Sequence, residues 1–293
     1  MSPTLPLSDA DGPATPPDPP SPLFRTRVDE RGTGHSREAE DVVAEEMPVA
    51  MVYNGISHAV MMATPVDLED FAIGFSLTES ILGSPDELYD IEVQCGPTGA
   101  TVDMTIASER MFALKAQRRN MTGRTGCGLC GTESLEHAIR DIPKVGPHPA
   151  ITDDAVQKAV GDLKQYQPLQ AQTGATHAAA WCDVDGAILA VREDVGRHNA
   201  LDKLVGHWLR TGRNFERGFA LISSRGSFEM VQKSAMVGIG CLVAVSAPTG
   251  LAIREARKAN QTLIGFARPG RHVIYHCGTT SAPAADAMQE NKT

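Results

Sequence analysis

The sequence predicts an α/β protein, with a layered domain on a mixed sheet over residues 150–277 and a smaller N-terminal α+β part over 41–145. Three observations carry this. Beyond residue 150, strand-like and helix-like segments alternate. Some of those strands, such as Cys241-Leu242-Val243-Ala244-Val245, are near-continuous apolar runs, as in a sheet covered on both faces. Before residue 107 the pattern is one of hairpins, with alternating apolar positions on either side of short turn sequences.

Residues 1–40 read as a disordered Pro-rich tail. The first 22 residues hold eight prolines, and few large apolar residues follow before Val42. Such a segment buries too little surface to offset its ordering entropy. Val49, Met51 and Tyr53 then alternate, Asn54-Gly55 supplies a hairpin turn, and Val60 and Met62 resume on the far side. Thr64-Pro65-Val66-Asp67 predicts a helix start, with Thr64 as the cap and Pro65 in the first position. Leu68, Phe71, Ala72 and Phe75 continue at helical spacing towards Gly83. A second hairpin is predicted over 89–106, turning at Gly96-Pro97-Thr98-Gly99.

The stretch from Arg110 to Gly131 carries Arg110, Lys115, Arg118, Arg119 and Arg124 without an acidic residue. It closes on Gly123-Arg124-Thr125-Gly126-Cys127-Gly128-Leu129-Cys130-Gly131, a glycine-rich and so conformationally permissive loop. A short helix is expected from Thr132 to about Arg140, then a linker marked by Pro143, Gly146, Pro147 and Pro149. The layered domain follows, with helices at 152–164, 197–210, 226–238 and 249–260. Its strands are predicted at 177–183, 187–192, 218–223, 241–246, 262–267 and 271–276. Residues 278–293 read as a flexible tail.

Bulk properties remove several function classes. No apolar run approaches the roughly 18 residues that span a membrane, and the N-terminus lacks the basic start and apolar segment of a signal peptide. Only two of the six cysteines are close in sequence, which fits a reducing, cytoplasmic setting better than a disulfide scaffold. A net charge of −9 argues against a nucleic-acid-binding protein.

The Cys127/Cys130 pair has three readings. Half of a zinc site would need two more ligands from scattered residues, because no second CxxC or close Cys/His pair exists. A thioredoxin-like redox pair would sit between a strand and a helix, not behind a basic glycine-rich segment. A sulfur carrier needs an exposed, mobile and partly ionised thiol, which nearby arginine and permissive glycines would favour. Chemistry permits the third without selecting it. Zinc-dependent deamination is excluded, since the nearest His-x-Glu match is His177-Ala178-Ala179 and the CxxC precedes it. No metal-binding set is expected.

Polar clusters recur at strand-to-helix junctions. Glu193-Asp194-Val195-Gly196-Arg197-His198-Asn199 is one and Ser223-Ser224-Arg225-Gly226-Ser227 another, at positions where α/β sheets bind anions. Phe266-Ala267-Arg268-Pro269-Gly270-Arg271 places two arginines on a constrained turn, suited to phosphate or carboxylate. Each also has a plain structural reading: N-capping for Asp194 and Ser227, a simple hairpin for Pro269-Gly270, a hydrogen-bonded core position for His177. Together they favour an anionic ligand without identifying it.

Several blocks together resemble the formate dehydrogenase accessory sulfurtransferase family (FdhD). They include Asn54-Gly55, Thr64-Pro65, the helix from Phe71 to Leu82, and Thr125-Gly126-Cys127-Gly128-Leu129-Cys130-Gly131. The run 174–179, the run 193–203, Glu229-Met230-Val231-Gln232-Lys233, Val245-Ser246-Ala247-Pro248-Thr249 and the run 265–271 complete them. The likeness spans roughly 45–276; Ser223-Ser224-Arg225 stands where the family usually has Thr-Ser-Arg.

The resemblance implies a cytidine-deaminase-like fold without the deaminase zinc chemistry. It implies that a cysteine desulfurase passes sulfur to Cys127 as a persulfide, with Cys130 as its partner. The sulfur would go to the molybdenum bis(molybdopterin guanine dinucleotide) cofactor, bound as a substrate before insertion into formate dehydrogenase. No permanently bound cofactor is expected. Phe266, Ala267, Arg268, Pro269, Gly270 and Arg271 match the family's cofactor-binding segment, and His177, Arg197, His198 and Arg225 are the further candidates for the guanine-nucleotide part. A homodimer is implied by the family only. The alternatives are a cofactor-binding chaperone that transfers no sulfur and a zinc-stabilised structural module.

Overall fold

The computed structural model describes residues 20–122 and 141–281, with the backbone alone for 117–122. Cys127, Cys130, Arg124 and the helix expected from Thr132 lie outside the described residues, as do 1–19 and most of the C-terminal tail.

Two antiparallel strands come first, β1 (Leu23–Gly32) and β2 (His35–Ala44), paired from Leu23↔Ala44 to Gly32↔His35. This hairpin stands where composition predicts a disordered tail up to residue 40. Its ladder is satisfied by backbone bonds, and only Thr26, Val28 and Ala39 of its outer half are partly covered, so side-chain composition carried little of its signal.

β3 (Met47–Tyr53) and β4 (Ile56–Ala63) form the Asn54-Gly55 hairpin, and β5 (Leu88–Gly96) and β6 (Gly99–Ile106) the second one. They join in the order β4-β3-β6-β5 through a parallel β3–β6 pairing. Val49, Met51, Tyr53, Val102 and Met104 are fully buried on the inner face. Between the hairpins runs α1 (Leu68–Thr78).

The predicted helix start is corrected here. Helix α1 begins only at Leu68, after Asp67 in the left-handed region at φ 53, and no side chain caps it. Thr64 is instead buried and bonded to the C-terminal part. Its N–H donates to Asp194 Oδ2 (3.0 Å), its carbonyl accepts from Lys203 Nζ (2.9 Å), and its hydroxyl accepts from the Val195 N–H (3.1 Å). Helix α2 (Ser108–Thr122) carries the first part of the basic stretch, to which the sequence reading assigned no element. Its Arg110 is bound to Glu87 at 2.7 Å, which holds that carboxyl below its usual pKa and removes Arg110 from the free cations.

The layered domain contains α3 (Asp153–Asp162), capped by the Thr152 hydroxyl, and then α4 (Pro168–Thr173), which the sequence reading did not foresee. β7 (His177–Cys182) and β8 (Ile188–Asp194) form a hairpin. Then come α5 (Arg197–Arg210), β9 (Phe219–Ile222), α6 (Phe228–Met236), β10 (Cys241–Ala244), α7 (Gly250–Lys258), β11 (Thr262–Arg268) and β12 (Arg271–His276). The six strands run β12-β11-β10-β9-β7-β8, parallel across β9–β10–β11 and antiparallel elsewhere, so the predicted mixed sheet is present.

Helices cover both faces, which is why the strands read as apolar runs. Val156 and Ala159 of α3 pack on Leu221 and Val243. On the other face Leu201, Met230 and Ala252 lie in one cluster with Trp181 and Leu242. That cluster also contains Val49, Phe71 and Met104, so the small sheet and the layered domain share a core. Helices α1 and α5 cross closely. A Cβ on Gly74 would lie 1.7 Å from the Asp202 carbonyl oxygen, and one on Gly206 would lie 1.9 Å from that of Asp70. No helix among the described residues is long and apolar enough to cross a membrane.

Candidate anion-binding edge of the large sheet

β9, β10 and β11 end on the same side of the sheet, at Ile222, Ala244 and Arg268. β7 runs opposite to β9, so its first residue, His177, falls on this edge, paired with Asp194 at the end of β8. Backbone bonds continue the line beyond the strands. Ser223 N–H donates to the Ala178 carbonyl (2.9 Å), Ser246 N–H to that of Ser224 (3.3 Å), and Phe266 N–H to that of Ser246 (3.1 Å). Every polar cluster singled out in the layered domain therefore reaches one edge. Five strands at about 5 Å spacing make that edge roughly 20 Å wide, enough for an extended ligand.

The clusters divide into groups that hold the fold and groups that face outward. Glu193 turns inward, accepting from the Leu169 and Gln170 N–H groups (2.9 and 2.8 Å) at the start of α4 and from the Thr176 hydroxyl (2.9 Å). Asp194 does not cap α5 in the simple sense expected. It accepts from Gly196 N–H and Asn199 Nδ2, and its other oxygen lies 2.7 Å from Lys203 Nζ, both side chains being wholly buried. Ser227 sits at the N-cap of α6, but its hydroxyl makes no capping bond and is a buried atom without a partner among the described residues.

Arg197 and His198 open α5 beside this serine. Arg197 Nε is also buried and unpartnered, and its terminal nitrogen is 4.0 Å from Glu229. His198 Nε2 stands 2.6 Å from the Glu229 carboxylate but is not aligned for a hydrogen bond. Arg225, Arg268 and Arg271 are exposed and make no ion pair among the described residues. Cations held at an edge without carboxylate partners are what an anionic ligand requires.

The turn at 266–271 is unusual in its backbone. Phe266 lies at φ 49, left-handed for a residue with a bulky side chain, and the β11–β12 register is irregular between Gly265 and Arg268. Such a conformation costs on the order of 1–3 kcal/mol and persists only where its surroundings enforce it. Part of the enforcement is steric. A Cβ on Gly265 would lie 2.7 Å from Pro248 Cδ, so the Val245–Thr249 block presses directly on the turn.

Sequence reasoning found His177, Arg197, His198, Arg225 and the turn, all of which the fold brings to this edge. It did not single out Glu229 as a site group, and it carried Ser227 only within a polar cluster, with N-capping as its plain reading. Their signal was available only as polar residues in the first turn of a helix following a strand.

Burial pushes the pKa of His177 below its ordinary 6.5, and the Arg197 guanidinium pushes it the same way against the opposing effect of Asp194. Burial likewise lowers His198, outweighing the Glu229 carboxylate. His148, His207 and His276 are lowered too, each chiefly by burial. A folded-state pKa below the unfolded value means the unfolded chain binds protons first. The stability from these groups is complete above about pH 6.5 and is lost as pH falls through the lowered values. The urea midpoint is expected to drop between about pH 7.5 and about pH 5.5. A midpoint that is flat or rises over that interval would contradict the assignment.

The profile of the FdhD/NarQ family matches residues 44–280. A sulfur carrier protein FdhD from Cupriavidus necator is 55% identical over 235 residues, 80% of this chain and 82% of that protein. Relatives of the same description from Variovorax paradoxus and Acinetobacter baylyi are 53% and 50% identical, covering 84% and 90% of their own lengths. A crystal structure described as a candidate formate dehydrogenase accessory protein from Desulfotalea psychrophila has a TM-score of 0.68 at 21% identity, covering 88% of this chain and 98% of that one. That likeness speaks for the fold.

Proposed function

From a chain that belongs to the FdhD/NarQ family, we infer a cytoplasmic sulfurtransferase that carries sulfur as a persulfide on Cys127 and delivers it to a molybdenum cofactor destined for formate dehydrogenase. The observation that carries the cofactor half is the sheet edge. Among the described residues, Arg225, Arg268 and Arg271 stand there without ion-pair partners, as do Arg197 Nε and Ser227 Oγ without hydrogen-bond partners. Phosphates of a guanine dinucleotide would satisfy all of them, with Phe266, Ala267, Pro269 and Gly270 shaping the turn and His177 and His198 lining the edge. The strand order β8-β7-β9-β10-β11, a hairpin followed by parallel strands, supports the cytidine-deaminase-like reading of the layered domain.

The sulfur half rests on the Cys127/Cys130 pair and on relatives called sulfur carriers at 50–55% identity. The Cys127 thiolate attacks the outer sulfur of a cysteine desulfurase persulfide. The S–S bond there breaks, the desulfurase thiolate leaves, and the Cys127 persulfide forms with no net oxidation. Delivery as sulfide needs two electrons. Cys130 supplies them when its thiolate attacks the Cys127 sulfur, giving a Cys127–Cys130 disulfide and releasing the outer sulfur as hydrosulfide to the metal. The bound cofactor supplies the accepting molybdenum; the edge arginines hold its nucleotide end. A homodimer is part of this reading.

Intact-protein mass spectrometry after incubation with a desulfurase and cysteine tests it. Wild type is expected to gain about 32 Da, reversibly under reductant, and Cys127→Ala to gain nothing. No gain in wild type with an active desulfurase would transfer the assignment to a cofactor chaperone acting through the edge alone.

A further inference from the structure

We propose that Gln157 is a positioning residue for the turn at 266–271, holding Arg268 and Arg271 in the arrangement that grips a nucleotide's phosphates, and that His272 and Asp153 hold Gln157 in turn. The inference rests on the reading of that turn as a nucleotide contact.

Gln157 lies on α3, whose Val156 and Ala159 are buried against the sheet, so its backbone is fixed by the core. Its side chain reaches the tip of the β11–β12 hairpin, where Oε1 accepts the Gly270 N–H at 2.7 Å. Its Nε2 lies 3.0 Å from His272 Nδ1, and His272 Nε2 lies 3.0 Å from Asp153 Oδ1.

One proton assignment satisfies every link. The amide oxygen is occupied by Gly270, so the amide nitrogen donates to His272 Nδ1, which must carry its lone pair there. The imidazole hydrogen is then on Nε2 and points at the Asp153 carboxylate. The histidine side chain is only 10% exposed whereas Asp153 is 81% exposed, so the chain runs from solvent through a fixed ring to the turn.

The tip needs such an anchor. Arg268, Pro269, Gly270 and Arg271 are all exposed, and Gly270 is left-handed at φ 79. The irregular register leaves Arg268↔Arg271 as the ladder pair nearest the tip. An exposed tip with sparse ladder bonding would have to be ordered at the moment of binding, at a cost in affinity. Gln157 supplies that order beforehand from a different element. It contacts the turn's backbone and acts through the arginines.

The test compares wild type, Gln157→Leu and Gln157→Glu in the full-length protein. GDP binding is followed by calorimetry, amide exchange at Gly270 by mass spectrometry, and persulfide loading with a desulfurase. Leucine keeps the bulk and removes both hydrogen bonds. It is expected to weaken GDP about tenfold, the scale of one lost hydrogen bond, and to speed exchange at Gly270, with persulfide loading and melting temperature close to wild type. Glutamate retains an acceptor for Gly270 and is expected to restore slow exchange there. GDP affinity in Gln157→Leu within twofold of wild type would overturn the positioning role. Failure of wild type itself to bind GDP would overturn the nucleotide reading of the turn, and this inference with it.

Discussion

Cells whose sole copy of this protein carries Cys127→Ala are expected to lose formate dehydrogenase activity to the level of cells lacking the protein, a fall on the order of a hundredfold or more. Alanine removes the sulfur atom on which the proposed reading forms the new S–S bond. Cys130→Ala should differ in kind. Such a protein still loads sulfur, because attack on the donor needs one thiolate. It releases that sulfur slowly, because the two electrons of delivery then come from an outside thiol. A dithiol added in vitro should restore release by Cys130→Ala and leave Cys127→Ala inactive. Arg110, the first cation of the basic stretch, is committed to Glu87 and is not among the groups available to lower the thiol's pKa. Full activity in Cys127→Ala would remove the carrier assignment.

Lys203→Met is expected to destabilise the fold by about 3–5 kcal/mol, the scale for breaking a buried ion pair from one side. Lys203 Nζ lies 2.7 Å from Asp194 with both side chains wholly buried, and it also donates to the Thr64 carbonyl. Burial pushes the lysine pKa down, and the Asp194 carboxylate opposes that shift. Methionine matches the length and removes the charge. Asp194 then remains buried with the N–H groups of Thr64 and Gly196 and the Asn199 amide, but without a cation. Domains have only about 5–15 kcal/mol in total, so urea denaturation should show a large midpoint shift. A loss under about 1 kcal/mol would mean that the carboxylate is neutral or rehydrated in the variant. Because this pair ties the Thr64 strap to the start of α5, its loss should also loosen Arg197 and His198.

Much of the layered domain was legible in the sequence. Helix 197–210 and strand 271–276 were placed to the residue, because apolar periodicity and flanking glycines mark them locally. Helix α4 was not legible, since its N-terminal amides are satisfied by Glu193, a carboxylate more than twenty residues away. The role of Thr64 was misread for a related reason. Thr-Pro-x-Asp is a sound local helix start, and a long-range buried bond to Asp194 outcompetes it.

Residue types and spacing alone determined the thiol pair and the arginine-bearing turn, each written in a short contiguous window, and the mixed α/β sheet, whose strands and helices each carry a local apolar pattern. Only the tertiary structure decided which polar groups serve the fold and which remain available to a ligand. Glu193 and Asp194 sit in the same short block as Arg197 and His198 and look equally functional in one dimension. Strand direction and burial turn the two acids inward, to cap a helix and pair a lysine, and leave the basic groups at the edge. Burying a carboxylate demands partners that converge from distant segments, and such convergence is a property of the packed chain.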